Sequence, residues 1–147
     1  MAVDLTPEDE LHVITVLEPV MRSDFSSSAE SGLAYEGSEG CKPDPIALER
    51  SQKLLVDTRE DLNKQGLKNV KLTTLVSCVG GANDIGRHIS DYAEQNKADM
   101  LVMGSRGLGT ARRTMLGLFG LGSISDYVVK NAPCNVLVHK MQGKPTA

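Results

Sequence analysis

Apolar residues follow two rhythms along the chain. Short dense runs occur at His12 to Leu17 (HVITVL), Val70 to Val79 (VKLTTLVSCV), Asp99 to Met103 and Asn135 to His139. β-branched residues crowd most of them, and each has the length of a strand. Met100 to Met103 has no polar alternation, which predicts a strand buried on both faces. Between these runs the spacing becomes helical. Leu48, Leu55 and Leu62 recur every seven residues, with Leu54 beside them and Thr58 near the stripe. Asp44-Pro45 supplies an N-cap followed by proline at the first helical position, and Gly66 ends the pattern after about Gln65. A second helix runs to about Asn96, with Ile85, Ile89, Tyr92 and Ala93 on one face and Asn83 or Asp84 as its cap. A short third helix spans Ile124 to Asn131 and is stopped by Pro133.

Strands alternating with helices imply βαβ units. The expected fold is α/β, an open and mostly parallel sheet with flanking helices. At 147 residues the length predicts a single domain, 1–147. Residues 21–44 are polar, rich in Ser, Gly and Glu, and read as a mobile loop. No internal repeat is visible.

Composition narrows the function. Aromatics make up 3% with no Trp, against base stacking, and the net charge of −3 gives no basic footprint. Neither nucleic acid nor a membrane is an expected partner. No run approaches eighteen apolar residues, and MAVDLTPEDE lacks a signal-peptide core, so a cytoplasmic protein is expected. Cys41, Cys78 and Cys134 lie far apart with no metal-like spacing. Cys78 and Cys134 read as buried apolar residues, Cys41 as an exposed loop thiol, in a reducing setting. His12 starts a strand, and no second ligand lies at a metal spacing. No Ser-His-Asp or Cys-His pairing is evident, so an enzyme is not expected.

The chemistry concentrates after Met103. Six of the fourteen glycines fall between Gly104 and Gly122, ahead of a helix start at Ser123 to Asp126. Strand, glycine-rich loop and helix N-terminus together suit an anion, because glycine lets backbone approach closely and a helix start offers free N–H groups. Arg106, Arg112 and Arg113 add positive charge there. Neither G-x-x-x-x-G-K-[ST] nor G-x-G-x-x-G is present; Arg112 stands where the third glycine would be.

Gly104-Ser105-Arg106-Gly107, then Gly122-Ser123-Ile124-Ser125-Asp126-Tyr127, then Asn131 to Val138, resembles the universal stress protein family, whose signature is G-x-x-G, nine residues, then G-[ST]. The resemblance covers about Glu10 to Lys140. It implies an adenine nucleotide alpha hydrolase-like fold with strand order 3-2-1-4-5, and ATP, with or without Mg²⁺, as cofactor. The implied binding residues are Val16 beside the adenine, and Met103, Gly104, Ser105, Arg106, Gly107, Gly122, Ser123, Ile124 and Ser125 around ribose and phosphates. It also implies a homodimer through Asn135 to His139.

Two departures stand out. Only seven residues separate Asp4 from His12, too few for a parallel crossover, so the family's first helix and most of its first strand are expected to be missing. Asp4 takes the place of an adenosine-contacting Asp only if the tail folds back. After Gly107, nine residues lead to Gly117, but Leu118 follows it, and the Gly-Ser pair comes at Gly122-Ser123. Leu118 to Gly122 therefore reads as an insertion that displaces one wall of the site. The expected function is a stress-response regulator that binds ATP or a related adenine nucleotide. The rival is a dimeric stress or interaction protein of the same fold that binds none.

Overall fold

A computed structural model describes residues 4–18, 42–105 and 123–140. It is an α/β arrangement of parallel strands and helices, in the order β1 (Leu11–Leu17), α1 (Pro45–Lys64), β2 (Val70–Val76), α2 (Ala82–Gln95), β3 (Met100–Gly104), α3 (Ser123–Asn131) and β4 (Asn135–His139). The chain divides into two compact units, Met1–Val79 and Gly80–Ala147. The loop expected over 21–44 lies almost wholly outside the described residues, as do Cys41, Arg112 and Arg113. From Asp4 to Glu10 there is a turn and no helix or strand.

The α/β arrangement of parallel strands with flanking helices is the expected one. Among the described residues the strands pair β1 with β2 and β3 with β4. Among the described residues no further strand bonds to either pair. Both pairs are parallel and each is joined through its own helix.

In the first unit, α1 packs on both strands. Its start follows from local chemistry. The Asp44 carboxylate accepts from the Ala47 N–H at 3.2 Å, and Pro45 fills the first turn. Its end is a Schellman turn: Gly66, at φ 92°, donates to Asn63 C=O at 3.1 Å, and Leu67 donates to Leu62 C=O at 3.0 Å. The stripe reads Leu48, Ser51, Leu55, Thr58 and Leu62, of which Ser51 and Leu55 are buried. Leu54, beside the stripe, is exposed. Ser51 meets the register pair Thr15 and Thr74: Ser51 Oγ lies 2.5 Å from Thr15 Oγ1 and 3.5 Å from Thr74 Oγ1. These shared hydroxyls satisfy one another where helix meets sheet. Side chains alternate along a strand, so Val16 points away from α1.

At the other end of the same strands, Glu10 accepts from Lys71 Nζ at 2.8 Å and lies 2.6 Å from His12 Nε2. The His12 contact, then Lys71, holds the Glu10 carboxyl below its ordinary range. Thr6, by backbone and then hydroxyl, does the same for Asp9. Just past β2, Cys78 is half-buried and disulfide-bonded. This overturns its reading as a buried thiol. A disulfide depends on two Cβ positions meeting in space, which sequence spacing does not reveal. Cys134 is a free, half-buried thiol.

In the second unit, α2 begins at Gly81, not at Asn83 or Asp84. Gly81 has φ 85° and ψ 161°, which a side chain disfavours, and no side chain caps the helix. Asp84 falls in the first turn. Its side chain is 9% exposed and accepts from Arg87 at 2.6 Å, with His88 Nε2 at 3.4 Å. The helix ends in the same hydrogen-bond pattern as α1, but with Lys97 at φ 51° where α1 has glycine. Lys97 donates to Glu94 C=O at 3.1 Å and Ala98 to Ala93 C=O at 2.9 Å. The buried face of α2 carries Ile85, Gly86, Ile89, Ser90 and Ala93.

β3 corrects a second expectation. It alternates instead of being buried on both faces, with Met100 39% and Val102 60% exposed. Their register partners are Asn135 and Leu137, so this face of the pair is exposed at Met100, Val102 and Asn135. Among the described residues no helix is long and apolar enough to cross a membrane.

Candidate functional site

The C-terminal edge of the β3–β4 pair is where the glycine-rich stretch departs. Gly104 ends β3, paired with His139 at the end of β4. The Ser105 N–H donates to His139 C=O at 3.0 Å and carries the ladder one residue further. The next described residue is Ser123, which opens α3. Arg106, Gly107 and Gly122, with the insertion Leu118 to Gly122, lie outside the described residues.

The remaining candidates separate by exposure. Gly104 and Ser123 are exposed, Met103 and Ile124 are half-buried, and Ser105 and Ser125 are buried at 5% and 2% exposure. All six belong to the second unit, whereas Val16, half-buried on β1, belongs to the first. Gly104 and Ser123, both exposed residues, are of the types that suit an anion at a strand end and a helix start. Among the described residues no group of three His, Cys, Asp or Glu side chains is arranged to hold a metal.

What seats α3 escaped the sequence reading. α3 packs chiefly on α2 and little on β4. At nine residues it is too short to persist alone, so this contact holds it. The closest approach is at Gly86. A Cβ there would lie 2.5 Å from Tyr127 Cδ1, 2.9 Å from Cγ and 3.1 Å from Cβ. Only glycine leaves that room. Val128 beside it is fully buried at 0%. The available signal was a glycine inside a helical pattern, which costs helix stability unless packing requires it. Ser90, one turn beyond Gly86, is 7% exposed, and its hydroxyl has no hydrogen-bond partner among the described residues. Asp126 and Lys130 pair at 2.8 Å on the solvent side of α3.

Comparison with known proteins agrees with the glycine-rich motif. The universal stress protein family model matches residues 2–140. A universal stress protein of Methanocaldococcus jannaschii is 45% identical over 56 residues, a stretch that covers 38% of this chain and 30% of that relative. No solved structure gives a significant match. The chain belongs to the universal stress protein family, a family of stress-response proteins.

Proposed function

We propose that the chain is a regulatory protein that binds ATP or a related adenine nucleotide at the C-terminal edge of β3 and β4. The observation that carries the reading is the pair of exposed residues, Gly104 and Ser123, at the two ends of the glycine-rich stretch. In this reading Gly104 and Gly107 bring backbone to the phosphates, and Arg106, Gly122 and Ser123 complete the donor set. Met103 and Ile124 line the ribose side. Buried Ser105 and Ser125 shape the strand end and helix start more than they touch ligand. A divalent cation would be held largely by the phosphates themselves. The protein would act in the cytoplasm as a homodimer through Asn135 to His139.

Titration calorimetry with Mg·ATP tests the site, beside Gly107→Val and after circular dichroism shows both proteins folded. Saturable binding in the parent and its loss in Gly107→Val is the expected result. The burial of Ser105 and Ser125 favours one rival, a dimeric stress or interaction protein without a nucleotide. A folded parent that takes up no heat from Mg·ATP, ADP or AMP would put that rival first.

A further inference from the structure

We propose that the Gly86–Tyr127 contact sets the position of the α3 N-terminus for anion binding, with Tyr127 as a positioning residue; this rests on the nucleotide reading above. Tyr127 lies four residues after Ser123. On a helix this puts the two on one face, one turn apart. The ring and Cβ of Tyr127 meet the bare Cα of Gly86, where a side chain has no space. The ring could rotate away from an added methyl group. The Tyr127 Cβ, 3.1 Å from the added atom, is tied to the α3 backbone, so relief there takes a shift of the backbone by a fraction of an ångström. A methyl group at 86 therefore pushes the helix itself, and Ser123 moves with it. Two other contacts of α3 lie within the helix itself. Its ion pair Asp126–Lys130 is exposed and internal to the helix, and the Asn131 side chain donates to Tyr127 C=O within it. Val128 is buried but makes no directional bond. Interiors resist such an insertion because they are close-packed and deform in steps.

The test uses Gly86→Ala, Tyr127→Ala and the double variant in the full chain. Mg·ATP affinity is read by calorimetry, and backbone hydrogen exchange of α3 by mass spectrometry. Gly86→Ala should fold, exchange faster in 123–131 than the parent, and bind at least about tenfold more weakly, as expected for overpacking at a seat the ligand depends on. The double variant should recover most of the affinity without recovering thermal stability. A purely structural contact would not separate the two. Parent-like affinity in Gly86→Ala overturns the proposal, and so does a double variant as weak as the single one. If Gly86→Ala does not fold, Tyr127→Ala stands in, since it removes the ring and creates no clash; unchanged affinity there overturns the proposal equally. If the parent itself binds no nucleotide, the site reading falls first, and exchange decides the seat alone. Faster exchange confined to α3 in Gly86→Ala keeps the positioning role; exchange matching the parent removes it.

Discussion

Ser51 and Ser90 make a matched pair. Each lies mid-helix, each is 7% exposed, and each sits in a different unit. Ser51 meets two threonine hydroxyls from β1 and β2, while Ser90 meets none among the described residues. The contrast extends to the helix ends. α1 has an Asp44 cap, Pro45 and a glycine at the left-handed position; α2 has no side-chain cap and Lys97 at that position. The first unit follows local rules at nearly every point. The second breaks several, and it carries the glycine-rich stretch. Rule-breaking of this kind gathers at functional sites, where residues answer to a ligand as well as to stability.

The serines offer the largest test of that contrast. Ser51→Ala should destabilise by about 1 kcal/mol, because it leaves Thr15 and Thr74 with one long mutual bond of 3.4 Å. Ser90→Ala should be neutral or stabilising by up to about 1 kcal/mol, because it removes a buried donor that is not bonded. Urea unfolding of both variants beside the parent reads the signs. Two losses of equal size would mean that Ser90 has a bonding role after all, and the comparison would break.

The helix ends give an effect of the same kind and at most the same size. Lys97→Gly should stabilise by about 0.5 kcal/mol, since the left-handed strain relieved exceeds the added chain entropy only modestly. Gly66→Ala should cost about 1 kcal/mol, because its Cβ meets no neighbour and the penalty is the backbone angle alone. Thermal midpoints at fixed pH measure both. A destabilised Lys97→Gly would show that the lysine side chain contributes where its backbone does not.

The same contrast explains what could be read from the sequence. Both limits of α1 were legible because Asp44-Pro45 and Gly66 are local signals that act on their own backbone. The start of α2 was not. Asn83 and Asp84 are good caps by type, but Gly81 had already taken the cap position through its φ angle. Gly86 showed only as a glycine inside a helical pattern, because its reason lies forty-one residues away in Tyr127. The register of each strand pair was also out of reach, since strand partners are set by long-range contacts and the pattern of each strand is the same either way. At the site, the motif named the residues, but only the structure separates exposed Gly104 and Ser123 from buried Ser105 and Ser125.

The smallest effect lies at Glu10, and its sign is fixed by the direction of its shift. His12 and Lys71 hold the folded carboxyl below its unfolded value. A lowered folded pKa means that the contribution is present above the unfolded pKa, near 4.3. It is lost as pH falls through the folded pKa. The group is solvent-exposed, so salt should screen the effect. A carboxyl titration followed by NMR should place Glu10 below the ordinary glutamate midpoint, with the difference shrinking in high salt. Lys71→Gln should move the midpoint part of the way back and leave the His12 contribution in place, since His12 is the larger cause. In Glu10→Gln the neutral-pH stability should fall slightly and the acid limb should flatten by the same small amount. A Glu10 midpoint at the ordinary value would mean that this network at the strand ends contributes nothing, and the orderly character of the first unit would then rest on its helix alone.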